Sequence, residues 1–179
     1  MGFKKILVAL DRSPLASEIF EQALDLAQKE TACLMLFHCL NREDWVEVGP
    51  LLQTGIGLHP FVGENLYQFQ QEHLREAVQQ AQQWLGTYCQ KAIAQGVPAE
   101  FCYGMQNPGQ RICDTARSWG ADLILLGRRG RRGLTEMLLG SVSNYVVHHA
   151  PCSVLIAQGI HSPAVDLPAT TPSNDPVIT

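Results

Sequence analysis

Five short apolar runs, set between amphipathic stretches, constrain this chain more than any other feature. They are FKKILVAL (Phe3–Leu10), ACLMLFHCL (Ala32–Leu40), VPAEFCY (Val97–Tyr103), ADLILLG (Ala121–Gly127) and CSVLIA (Cys152–Ala157). Most lack the apolar–polar alternation of a half-exposed strand, so they read as strands buried on both faces. The third alternates weakly. Between the first two, Leu15, Ile19, Ala23, Leu26 and Ala27 recur at helical spacing up to Glu30, and Ser13-Pro14 reads as a cap with a first-turn proline. A long helix is predicted over Glu64–Gln95, with an apolar stripe through Leu66, Phe69, Leu74, Ala77, Val78, Ala81, Trp84, Leu85, Tyr88 and Ala92. Asn107-Pro108 predicts a capped helix to Trp119, ended by Gly120. Ser141–Ala150 predicts a last helix, stopped by Pro151.

Strands alternating with helices argue for an α/β fold, a doubly wound five-stranded parallel sheet with helices on both faces. Between Asn41 and Gly63, Gly49, Pro50, Gly55, Gly57, Pro60 and Gly63 break every pattern, which predicts a long mobile loop. The proline-containing segment 158–179 predicts a disordered tail after a domain spanning 1–157.

The chain has 179 residues, 46% hydrophobic and 17% charged, with a formal net charge of −4. That balance disfavours a general nucleic-acid binder. It makes the local run GRRGRRGLTEMLLGS (Gly127–Ser141) notable, because a basic patch on an acidic protein suits a small anionic ligand. The six cysteines show no metal-ligand spacing and read as reduced core thiols. The N-terminal apolar run is too short for a signal peptide, and no run is long enough to span a membrane, so a cytoplasmic location is expected.

Ligands of open parallel sheets bind at the carboxyl ends of strands, where the winding direction reverses. With strand order 3-2-1-4-5, the loops after Leu10-Asp11 and after Gly127 would face each other there. Gly127 then reads as a bare position for close ligand approach, and Gly130 as a turn. Gly140-Ser141 opens a helix whose unpaired N–H groups form an anion site, with hydroxyls from Ser141 and Ser143. Arg128 and Arg129 would add charge at its mouth. The segment matches neither the Walker P-loop nor the dinucleotide fingerprint. The plain alternative is a solvated basic loop.

The spacing G-x2-G-x9-G-[ST], here Gly127, Gly130, Gly140 and Ser141, resembles the ATP-binding signature of the universal stress protein family. KKILVALDRSPLASEIFEQALDLA resembles that family's first strand and helix, with Asp11 at its acidic position. ADLILLGRRGRRGLTEMLLGSVSNYVVHHAPCSVLIA resembles its C-terminal half. The resemblance implies an adenine nucleotide α-hydrolase-like (Rossmann-like) sheet of order 3-2-1-4-5. It implies that Asp11 bonds the ribose hydroxyls, that Ala9 and Leu10 border the nucleoside, and that Cys39 offers backbone groups to adenine. Leu126 and Gly127 would line the ribose and phosphate side. Gly130, Gly140, Ser141 and Val142 would hold phosphates. Room for several phosphates favours ATP over ADP or AMP, with magnesium as an accompanying ion. The resemblance also implies a homodimer through the last strand, where SVLIA can pair with its copy.

The expected role is a nucleotide-responsive stress or signalling module. A slow ATPase or phosphotransferase and a nucleotide-independent dimeric scaffold are the alternatives. No catalytic residue is assigned: Asp11 suits ribose better than a general base, and Glu136 reads as solvated. His38 reads as a core histidine. His148 and His149 point apart on a helix and do not suit a joint metal site.

Overall fold

The computed structural model describes residues 2–41, 60–127 and 139–158, with side chains of the long helix from 68 onward. Nine elements follow in the order β1 (Lys5–Ala9), α1 (Ala16–Glu30), β2 (Cys33–Leu40), α2 (Pro60–Ala94), β3 (Ala99–Met105), α3 (Pro108–Trp119), β4 (Leu123–Gly127), α4 (Ser141–His149) and β5 (Ser153–Ala157). The strands form one parallel sheet in the order β3-β2-β1-β4-β5. The alternation and the strand order expected from the sequence are both present.

The apolar runs are continuous because both faces of the sheet are covered. Successive side chains of a strand point to opposite faces. On one face Ile6, Val8, Leu34, Leu36, Leu123 and Leu125 meet Phe20, Ala23 and Leu24 of α1 and Leu85 and Ala92 of α2. On the other, Leu7, Met35, Phe37, Ile124 and Leu126 meet Ile112, Cys113 and Ala116 of α3 and Val146 of α4. Burial of a side chain such as Phe20, which is wholly inaccessible, stabilises the fold by roughly 1.5–3 kcal/mol.

Several expectations need correction. Ser13 does not cap α1: the helix begins at Ala16, and the half-in residue Leu15 makes no side-chain cap bond. The Ser13 hydroxyl reaches no helix N–H, while its own backbone N–H donates to Asp11 Oδ1 at 3.1 Å and closes a turn ahead of the helix. Asn107 stands before Pro108 as expected, but with φ 50° and no side-chain cap bond. Helix α2 begins at Pro60 rather than Glu64, so the end of the segment read as a loop is helical. Proline is pre-set for a first helical turn, and a glycine within a helix is tolerated at a modest cost.

Phe69 is 45% exposed despite its place on the predicted stripe. A helix of 35 residues is about 52 Å long, whereas a strand of 8 residues spans about 27 Å. The first turns of α2 therefore extend past the sheet edge. Strand β3 is offset from the predicted run, since Val97 is buried with its N–H donating to the Ala92 carbonyl at the end of α2. None of the six cysteines forms a disulfide, and Cys39, Cys89 and Cys113 are buried. Cys33, Cys102 and Cys152 are only partly so. No helix among the described residues is long and apolar enough to cross a membrane.

Candidate functional site

The winding direction reverses between β1 and β4, which are neighbours with Ala9 opposite Leu126. Both strands leave the sheet at the same edge because they are parallel. Helix α4 runs back from that edge to the start of β5, so Gly140 and Ser141 also lie on the carboxyl side. The tertiary structure thus brings the Asp11 turn, Gly127 and the start of α4 to one side of the sheet.

Leu10 extends β1 by one bond, its N–H donating to the Phe37 carbonyl at 2.9 Å. Its own carbonyl accepts from His38 Nδ1 at 2.8 Å. Asp11 follows, partly exposed, with Oδ1 engaged by the Ser13 N–H. A carboxylate has further acceptor capacity beyond that one bond. Cys39 of β2 is buried, in register with Gly104 of β3, and its Sγ donates to the Gln106 carbonyl at 3.6 Å.

At the end of β4, Leu126 is buried against the α3–α4 layer. At Gly127 a β-carbon would stand 2.5 Å from Ile19 Cδ1 of α1, the far end of a flexible side chain. The sequence reading assigned that bare position to ligand approach. The structure adds a packing neighbour on the α1 side of that position.

Gly140 is the half-in residue before α4, at φ −58° and ψ 158°, with no side-chain cap bond. Its carbonyl accepts the Asn144 N–H at 2.9 Å, the first bond of α4, and the N–H groups of a first helical turn have no partner within their own helix. Ser141 is exposed and Val142 packs against the α3–α4 core. Ser143 departs from its expected role, since it is buried and its Oγ donates to the Gly140 carbonyl at 3.2 Å. Arg128, Arg129 and Gly130 lie outside the described residues, as do Glu136 and most of the 41–63 segment. His149 turns back on its own helix, where Nδ1 lies 2.8 Å from the Tyr145 carbonyl and the ring stacks on Tyr145.

Sequence reasoning missed a second layer around the Asp11 turn. The His38 ring meets Trp84 of α2 edge-on at 5.2 Å, and the Arg12 guanidinium lies 5.9 Å from the same indole. A groove of about 500 Å³ opens there beside Arg12, Ser13 and Trp84. The Ser13 hydroxyl is buried with no hydrogen-bond partner among the described residues. No spacing signals these contacts, because they join β1, β2 and α2 across the fold.

The family model described as the universal stress protein family matches residues 2–158. The universal stress protein Sll1388 of Synechocystis is 46% identical over 162 residues, covering 88% of this chain and 99% of that protein. The solved structure of protein MJ0577 covers 88% of this chain and 97% of its own, with a TM-score of 0.70 and 20% identity. The universal stress protein of Archaeoglobus fulgidus, solved in complex with dAMP, covers 87% and 98%, with a TM-score of 0.57 and 19% identity. At such identities the structural likeness concerns the fold, which agrees with the strand order seen here.

Proposed function

The chain belongs to the universal stress protein family, and on that premise we propose that it binds an adenine nucleotide at the carboxyl edge of β1 and β4 and acts as a nucleotide-responsive stress module. One observation carries the reading. The acidic turn at Asp11 and the uncapped start of α4 at Gly140-Ser141 lie on the same side of the sheet, at the point where the winding reverses. A carboxylate suits vicinal ribose hydroxyls, and outward N–H groups at a helix start suit phosphate oxygens. A nucleotide carries both groups. The dAMP complex of the Archaeoglobus fulgidus protein supports the same ligand class.

Within that class we favour ATP, with magnesium bound through its phosphates. Ala9 and Leu10 would border the nucleoside and Cys39 would offer backbone groups to adenine. Leu126 and Gly127 would flank the ribose. Gly130, Gly140, Ser141 and Val142 would hold phosphates, with Arg128 and Arg129 adding charge.

The homodimer is part of the same proposal. Among the described residues strand β5 has a neighbour on one side only, and Leu155 is 43% exposed on it. Pairing β5 with its copy would satisfy an open edge and cover that side chain.

Calorimetric titration of nucleotide-stripped protein with ATP and magnesium, with AMP and cyclic AMP as comparators, tests the reading. The control is Gly140→Asp. Aspartate is a preferred helix cap, and the backbone at Gly140 is open to any residue, so the variant should fold. Its carboxylate would take the N–H groups meant for phosphate and repel the ligand. Saturable binding lost in Gly140→Asp is expected. A folded wild type that binds none of the nucleotides overturns the proposal.

A further inference from the structure

We propose that His38 is a positioning residue for the nucleotide site: Nδ1, 2.8 Å from the Leu10 carbonyl oxygen, holds the peptide plane that carries the ribose carboxylate of Asp11. The inference rests on the nucleotide reading above and deepens it.

Two consecutive residues of β2 grip the end of β1. The Phe37 carbonyl accepts the Leu10 N–H at 2.9 Å, which anchors the peptide plane before Leu10. The His38 side chain holds the plane after it. That second plane ends at the Asp11 Cα, so its tilt sets where the carboxylate starts. The far side of the turn is tied as well, through Asp11 Oδ1 and the Ser13 N–H. Ala9 is the last β1 residue in register with β2. The backbone ladder therefore ends at the Leu10 N–H, and a side chain supplies the next bond.

The bond is sheltered. His38 is 4% exposed and Leu10 is 3% exposed. In such a place a carbonyl left without a donor is costly. A carbonyl oxygen only accepts, so Nδ1 carries a proton. The edge-on contact with Trp84, at an interplanar angle of 73°, restrains the ring. Trp84 also packs against Tyr88 and faces the Arg12 guanidinium from the same turn. The residues flanking Asp11 are thus held from β2 and from α2.

A histidine that only fills the core would affect stability and leave ligand selectivity alone. A positioning role predicts a loss confined to the ribose hydroxyls. The test measures affinity for ATP and for 2′,3′-dideoxy-ATP in the full chain and in His38→Asn, His38→Gln and His38→Phe. An asparagine amide nitrogen sits where Nδ1 does, whereas glutamine reaches the Nε2 position. The wild type should prefer ATP. His38→Phe and His38→Gln should lose about tenfold in ATP affinity and less than about twofold for the dideoxy nucleotide. His38→Asn should recover most of the difference.

Equal losses for both nucleotides, or asparagine no better than glutamine, would overturn the proposal. If His38→Phe does not fold, the asparagine–glutamine comparison still decides it. Nitrogen-15 spectra of the histidine-labelled wild type give an independent check, with a protonated Nδ1 expected and a bare Nδ1 overturning the bond itself. A wild type that binds ATP without preferring the ribose hydroxyls overturns the positioning role alone. A wild type that binds neither nucleotide fails the nucleotide reading and the role with it.

Discussion

Ile19 and Gly127 interlock: the Cδ1 methyl of Ile19 lies only 2.5 Å from where a β-carbon on Gly127 would stand. Helix α1 sits close to the end of β4 because that β-carbon is missing. Gly127→Ala should therefore turn the Ile19 terminal methyl aside and cost about 1 kcal/mol, the mild end of overpacking. Ile19→Val removes the clashing methyl and should return most of that loss in the double variant. Urea denaturation of the two single variants and the double measures it. An unchanged midpoint for Gly127→Ala would refute the packing argument.

Asp122 ties the start of β1 to the start of β4. Its Oδ2 accepts the Lys4 N–H at 2.8 Å and the Lys5 N–H at 2.9 Å. Water can replace these exposed bonds in part, so Asp122→Ala should cost about 1 kcal/mol. Hydrogen exchange at the Lys4 and Lys5 amides should quicken in the variant. Unaltered exchange there would mean the carboxylate does not hold the strand in solution.

The dimer reading makes Leu155 a sensitive position. Leu155→Arg places a charge on the exposed side of an edge strand without touching the buried layers. Light scattering after size exclusion should give a dimer for the wild type and a monomer for the variant. A wild-type monomer across the micromolar range would remove β5 pairing from the proposal.

Burial pushes the thiols of Cys89, Cys102, Cys113 and Cys152 up from their ordinary range. A raised pKa means less thiolate at neutral pH, and the thiolate is the reactive form. Alkylation mapped by peptide mass spectrometry should leave these four thiols slow in the native protein near about pH 7.5. Labelling should accelerate as pH rises and on unfolding. Rapid native labelling at Cys113 would contradict its buried setting.

The fold was legible because its signals are local. The strand cores of β1, β2 and β4 are apolar on both faces, and that pattern appears directly in ILVAL, CLMLFHCL and LILLG. The start of α4 was legible for a related reason: a glycine and a serine ahead of a helical run announce a helix start. Ser13 was misread because the helix starts only at Ala16 and the serine hydroxyl reaches none of its first-turn N–H groups. Phe69 was misread because periodicity records which face of a helix is apolar and not how far the sheet extends beneath it.

The sequence by itself determined the order of elements and which of their faces are apolar. These depend on spacing along a few turns or strands, where the chain's own geometry sets which side chains share a face. Only the tertiary structure decided that His38 holds Leu10 across 28 residues, that the Ile19 methyl crowds position 127, and that Tyr145 demands glycine at 109, where a β-carbon would come within 2.8 Å of the ring. Those relationships depend on the register between strands and the depth to which helices settle on the sheet. Both are set by close packing of side chains distant in sequence, and no short-range pattern encodes them.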